Sequence, residues 1–477
     1  MITDINEFAE KIREELSFPP DLAVRDVKTP YFYGKVLYID GLIDAQEVSE
    51  FLIEPLIRKR EPFPDDLNGL RTVVSYSGNM KEIEKEKCVF SILSGCAVLL
   101  SGSACIELPV KKIIGRAVAE PPTASVIKGP REGFVESMKL NCVLLRKRIR
   151  DKALTFRELE IGARTVTHVT LAYLNDVTPT EIADEIEKRL KKFEIDGAID
   201  SSFLTKMLEE RPYSIFKQIG NSEKPDVIAS RILDGKVAVI CDGSPIVLYL
   251  PFMLIEDFED AQDNYKRPAR ATFLRYMRLF AAFLAVFLPA LFVSVQVHQF
   301  QLLPVELLVT VINSTGHIPF SPTLEMLIAL ILFEILGEAS IRMPRHVGMV
   351  LGVVGAIVLG DTAVKAGLLS SLTVLVVAMS GIGIFTVPDE VGTMGVLRMT
   401  FVVFGGLLGL LGVLISAMCI IAYMSNISCF GIPYLSPVAP ILKDDLKDFL
   451  IKHNLTDLKA RPASYGLLDK TRLRRVK

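Results

Sequence analysis

Three carboxylates stand in an otherwise apolar stretch. Glu325, Glu334 and Glu338 all fall within residues 323–341. A carboxylate among lipid-soluble neighbours is costly, so it is expected to face a cavity, a partner or an interface. Glu334 and Glu338 are four residues apart and share one helix face. One reading is a helix edging an ion path or a subunit contact, with Glu334 and Glu338 attracting cations. The other is an amphipathic helix lying at a surface.

A second group of residues follows at 347–359, without a charge and rich in Gly, Val and Ile. Val350, Val354 and Ile357 recur at i, i+4 and i+7, and Val358 completes the stripe. In a ring of subunits these four are candidate gate positions, an apolar constriction that closes by dewetting. Ordinary bundle packing is the competing reading. Gly348 and Gly352 form a G-x-x-x-G with Gly355 one turn on, and Gly405 and Gly409 form another. Such faces let helices approach closely in lipid, which speaks for packing and not for a function.

Other chemistries lack their residues. There is no G-x-x-x-x-G-K-[ST], no G-x-S-x-G and no H-E-x-x-H. The seven cysteines are odd in number, none spaced C-x-x-C, and read as reduced small hydrophobes. The five histidines are scattered, so no metal and no cofactor is expected. The chain does not read as an enzyme.

The elements that must position these residues divide into two solvents. The chain has 477 residues, half of them hydrophobic, with a mean hydropathy of +0.38. Residues 279–442 hold 11 of its 110 charged side chains, leaving 110 − 11 = 99 for the other 313 positions. That contrast places the middle in lipid and the flanks in water. Spans are expected at about 279–298, 347–364, 367–387 and 400–424, with 323–341 as a further candidate membrane helix. Residues 426–442, broken by Gly431, Pro433, Pro437 and Pro440, read as a re-entrant or interfacial piece. Lys266, Arg267, Arg270, Arg275 and Arg278 precede the first span and put that end in the cytoplasm. Met1–Ser17 has no apolar signal core, which agrees with a cytoplasmic N-terminal region. The ten Lys/Arg of 443–477 favour a cytoplasmic tail and an even span count. A net charge of −2 with no long basic run before the last residues gives no reason to expect nucleic acid.

Ahead of the membrane region, a leader (1–20) precedes two soluble α/β subdomains (21–118 and 131–265) joined by a linker (119–130). Short apolar strands alternate with amphipathic helices. "YIDG" at 38–41 answers "YLND" at 173–176, each followed by a helix. "SILSGCAVLLSGSACIELPV" at 91–110 answers "SRILDGKVAVICDGSPIVLYLPF" at 230–252, with paired Gly turns seven or eight residues apart. The two subdomains therefore read as related. Thr178 is the expected N-cap of a helix over 180–193, with Pro179 at its first position. The basic cluster at 146–150 reads as a solvated helix face in preference to a lipid or nucleotide contact.

Several long stretches in order carry a family resemblance: "KVLYIDGLID" (35–44), "GPREGFVESMKLNCVLLRKRIRD" (129–151), "ERPYSIFKQ" (210–218), "KPDVIASRILDGKVAVICDGSPIVLYLPF" (224–252), "FEILGEASIRMPRHVGMVLGVVGAIVLGDTAVKAGL" (333–368) and "GIPYLSPVAP" (431–440). Over about 21–442 the chain resembles the A-type subunits of the GerA family of spore germination receptors. The short leader and the details of "EDFEDAQDNYKRPARATFLRYMR" depart from the family pattern. The resemblance implies a multi-pass protein of the inner spore membrane with its N-terminal domain inside. It also implies a B-type membrane subunit and a C-type lipoprotein as partners, and an oligomeric, pentameric ion channel opened by nutrients. It fits equally the A-like paralogue linked to the dipicolinate channel proteins. A secondary transporter and a non-conducting scaffold are the alternative functions, the first disfavoured because no inverted repeat of helices is visible.

Overall fold

The computed structural model describes residues 2–473 apart from 65–66, 75–79, 103, 111–128, 343–359, 450 and 455. Its N-terminal region holds two five-stranded antiparallel sheets. The first contains β1 (Leu22–Lys28), β2 (Tyr33–Ile39), β3 (Lys81–Ile83), β4 (Ala97–Ser101) and β5 (Ala104–Leu108), in the order β1-β2-β4-β5-β3. The second contains β6 (Leu154–Ile161), β7 (Thr167–Leu174), β8 (Gly220–Ser222), β9 (Val237–Cys241) and β10 (Val247–Leu250), in the order β6-β7-β9-β10-β8. Counted from their first strands, the two orders are the same. The soluble region is thus a duplicated α/β unit, as the sequence pattern implies.

The paired glycines explain why the repeat is legible. Gly95 and Gly235 both have φ near +90°, at +87° and +91°, and each ends a helix immediately before a central strand. A side chain there would be strained, so the helix stop is written in the sequence. Five residues of strand follow in each case, and then the turn at Gly102 or Gly243.

Alternation along the strands sorts side chains to opposite faces. In the first unit Val36 and Tyr38 pack with Val48, Leu52 and Leu56 of the helical segment 45–58. Leu37 and Ile39 pack on the other face with α1 (Ile2–Glu15) and α2 (Cys88–Leu93). The leader is therefore largely a helix. Its Ile5, Ala9, Ile12 and Leu16 are buried against the sheet. The linker expected at 119–130 lies outside the described residues except for 129 and 130.

In the second unit, α3 (Met138–Arg148), α4 (Thr180–Leu190), α5 (Ser201–Leu208) and α6 (Pro225–Leu233) surround the sheet. Pro179, not Thr178, is the N-cap of α4. Thr178 is fully buried and its hydroxyl finds no partner, so the expected cap is corrected. Within the basic cluster Lys147 and Arg150 do face solvent, and one residue departs from that reading. Arg146 is buried on α3, gives Asp21 two hydrogen bonds at 2.6 and 2.9 Å, and stacks over Phe156. It joins the two units instead of facing water.

The helical region contains α7 (Pro268–Val297), α8 (Val305–Thr315), α9 (Pro322–Arg342), α10 (Ser371–Ile384), α11 (Val391–Leu408) and α12 (Leu410–Ser425). Among the described residues, two helices are long and apolar enough to cross a bilayer, Pro268–Val297 and Pro388–Leu408. Most of the segment expected at 347–364 lies outside the described residues. The stretch expected as one span at 400–424 is two helices. Gly409, at φ +65° and ψ −147°, separates α11 from α12. That backbone region is open essentially to glycine alone. The chain then doubles back, and Gly412 comes so close to the Phe404 carbonyl that a Cβ would clash.

The hairpin returns α12 to the second sheet unit. Tyr423 packs on Phe216, and the Arg211 guanidinium donates to the Asn426 carbonyl at 2.7 Å. The first part of the expected re-entrant or interfacial piece is instead packed in the second-unit core: Ile427, Cys429, Ile432 and Tyr434 are buried there, while Val438 and Ile441 are exposed. The tail follows the same surface, with Tyr465 and Leu467 buried in that core.

Candidate functional site

The three acidic candidates have three different surroundings. Glu325 is buried, and its Oε1 accepts the Ser370 N–H at 2.6 Å. Ser370 is the N-cap of α10, and its Oγ accepts from the Thr373 N–H. Glu325 thus places a carboxylate at a helix N-terminus, where backbone donors and the dipole favour a negative charge. Glu338 lies on an exposed face and pairs with Arg342 at 2.6 Å.

Glu334 faces inward, to a partner that spacing alone does not reveal. Its Oε1 accepts from Arg398 at 2.7 Å, and the Arg398 side chain is wholly buried. The same guanidinium donates to Ser380 Oγ at 3.1 Å and stacks over the Phe333 ring at 5.3 Å. Ser380 in turn donates to the Ala285 carbonyl at 2.7 Å. One cation therefore ties α9, α10 and α11 together and reaches α7 through the serine. Glu334 is consequently neutralised in this arrangement and does not stand free to attract a cation. The signal in the sequence is Arg398 itself, the sole charge between Glu390 and Lys443, which in an apolar layer demands a partner.

The gate candidates Val350, Val354, Ile357 and Val358 lie outside the described residues, as do Gly348, Gly352 and Gly355. The second glycine pair splits in role. A Cβ on Gly405 would lie 2.6 Å from Ser294 Oγ and 3.0 Å from the Ala290 carbonyl, so Gly405 lets α11 meet α7 closely. Gly409 is corrected from a packing position to the helix break.

A second charged cluster joins the soluble region to α7. Lys236 and Glu256 are both buried and hydrogen-bonded, and the Tyr465 hydroxyl donates to the same Glu256 oxygen at 2.9 Å. Burial pulls the Lys236 ammonium down to about 8, against the opposing attraction of Glu256. Arg231 pairs with Glu259 at 3.1 Å, while Asp263 binds Arg275 at 3.1 Å and Arg278 at 2.6 Å. Arg231, Glu256, Glu259, Arg275 and Tyr465 line a cavity of about 110 Å³ between α6, the connector 254–265, the start of α7 and the tail. Asp263 thus ties the connector to the first turns of α7. Among the described residues, no group of three or more His, Cys, Asp or Glu is placed to hold a metal.

The chain thus joins a duplicated antiparallel α/β region, through a salt-bridged connector, to an apolar helical layer that holds the Arg398–Glu334 pair. The chain belongs to the family described as Bacillus/Clostridium GerA spore germination protein, whose profile matches residues 10–464. Its curated relatives include spore germination protein B1 of Bacillus subtilis, 31% identical over 92% of each chain. GerLA of Bacillus cereus is 29% identical over 98% of this chain and 96% of its own length. An uncharacterized membrane protein of Bacillus subtilis, YfkQ, is 31% identical over 91% of this chain and 85% of its own. Among solved structures, the N-terminal domain of the A subunit of the Bacillus megaterium germinant receptor GerK3 matches 51% of this chain and 92% of that domain. The identity there is 24% and the TM-score 0.41. Within the family the chain is of the A type.

Proposed function

We propose that this chain acts as the A subunit of a nutrient-gated, ion-conducting germinant receptor in the inner membrane of the spore. In this reading copies of the chain form an oligomer, with a B-type membrane subunit and a C-type lipoprotein as partners. The observation that carries it is the unbroken family match across soluble units, joint and helices. The relative named as a membrane protein supports the location. Arg275 and Arg278 hold the start of the helical region to the connector, and Arg211 holds its end to the second sheet unit. That arrangement supports an even number of crossings, with the N-terminal region and tail on one side.

Nutrient binding on a partner would reach the helices through the 254–278 joint, and the Arg398–Glu334 pair would hold the closed arrangement. The test is ion flux from the purified full chain in liposomes, with and without its B- and C-type partners. Flux that rises in Val354→Ala supports the channel. Absence of flux under every condition, with partners verified as bound and nutrient present, refutes it and leaves a scaffold.

A further inference from the structure

We propose that the loop 209–215 of the second sheet unit is a membrane-interface anchor, with the Tyr213 ring seated in the lipid headgroup layer. The inference rests on the reading of the helices as membrane-spanning. Tyr213 is 100% exposed, and Ile215 beside it is half-exposed. A single exposed apolar residue needs no explanation; the position of this one does. Two residues before Tyr213, Arg211 bonds the Asn426 carbonyl at the end of α12 and stacks over Tyr423 at 5.5 Å. Two residues after it, the Ile215 carbonyl accepts from Thr393 Oγ1 in the first turn of α11 at 2.9 Å. Each Cα step is at most about 3.8 Å, so the Tyr213 Cα lies within about 7.6 Å of both anchored residues. The loop backbone is therefore tethered beside the ends of two apolar helices.

Beyond their anchored ends those helices carry exposed Val396 on α11 and exposed Met418 and Ile421 on α12. On the third helix of this layer, α7, exposed Phe273, Tyr276, Phe280 and Phe283 recur at i, i+3, i+7 and i+10. Lys266, Arg267 and Arg270 precede them. Aromatic rings with a polar tip or basic neighbours, set between a charged domain and apolar helices, match a bilayer interface: apolar on one side and hydrated on the other. The loop's tether to the ends of apolar helices, with basic residues set beside exposed aromatics on α7, favours lipid over a protein partner. The anchor would fix the height of the second sheet unit above the bilayer.

The chain contains no tryptophan, so Tyr213→Trp supplies a single-site emission probe. The experiment reconstitutes the full chain carrying this variant into phosphatidylglycerol–phosphatidylcholine vesicles, with and without brominated acyl chains. Phe280→Trp, made separately, reports the helices. The expected result is blue-shifted indole emission from the Tyr213→Trp chain, lost with brominated lipid and resistant to aqueous iodide. Quenching by iodide with no response to brominated lipid overturns the anchor. Emission shielded from both quenchers also overturns it, since another protein surface then covers the ring. If the Phe280→Trp probe responds to brominated lipid and the Tyr213→Trp probe does not, the anchor fails and the membrane reading stands. If neither responds and the chain does not float with vesicles, the membrane reading fails first.

Discussion

Changing Glu334 to Gln leaves the Arg398 cation buried without its counter-charge. Arg398 is 0% exposed and has few substitutes: Ser380 Oγ at 3.1 Å and the face of Phe333. Its Nε already lacks a partner. Breaking a buried pair from one side costs about 3–5 kcal/mol, and each 1.4 kcal/mol is about tenfold in an equilibrium. Helix assembly should therefore weaken by two orders of magnitude or more. Arg398→Met is expected to cost less, because Glu334 is 40% exposed and so less desolvated than the wholly buried Arg398, while Ser380 keeps its bond to the Ala285 carbonyl. The double change Glu334→Gln/Arg398→Met removes both charges and should recover most of the loss, as apolar replacement of a buried pair is often neutral or stabilising. The assay is thermal unfolding of the full chain in detergent, followed by loss of the monodisperse species. The same three variants are then measured for ion flux. If Glu334→Gln melts with wild type, or if the double variant is merely the sum of the singles, the pair does not hold these helices.

Three further outcomes are expected. Asp21→Asn, which strands the buried Arg146 between the two sheet units, should cost about 3–5 kcal/mol by denaturant unfolding of the full chain; an unchanged midpoint would show that the units are joined by other contacts. Gly409→Ala should cost about 1–3 kcal/mol from backbone strain alone and crowd the Gln299 side chain, seen as a lower melting temperature; a neutral result would mean that α11 and α12 form one continuous helix. The third outcome concerns pH. Lys147, and then Arg148 against some burial, hold the Glu132 carboxyl below its usual range. A depressed carboxylate contributes stability above its unfolded pKa, near 4.3, and loses it as pH falls through the lower folded value. The pair is partly exposed, so wild type should exceed Glu132→Gln by only about 0.5 kcal/mol near neutral pH. Melts at falling pH should then converge, and a gap that persists in acid would refute the assignment.

Two features were legible without the structure, the charge-poor stretch and the repeat. Charge depletion over 279–442 marks residues kept from water, whatever covers them. The helix stops at Gly95 and Gly235 are local backbone requirements, so they show wherever the chain folds. What remained hidden depends on neighbours distant in sequence. Ile427, Cys429, Ile432 and Tyr434 lie in a run as apolar as a membrane segment yet pack in protein, since hydropathy reports exclusion from water and not whether lipid or protein replaces it. Gly405 and Gly409 obey the same four-residue spacing, yet one admits a neighbouring helix and the other turns the chain, a difference of φ and not of residue type. Arg146 sits in a basic run that resembles a solvated face, and only the approach of Asp21, 125 residues earlier, makes it an internal lock. Glu334 shares its spacing with Glu338, but Glu334 meets the buried Arg398, 64 residues further along, while Glu338 pairs with the exposed Arg342 on its own helix. Spacing fixes which side chains share a face; the tertiary structure alone decides what that face meets.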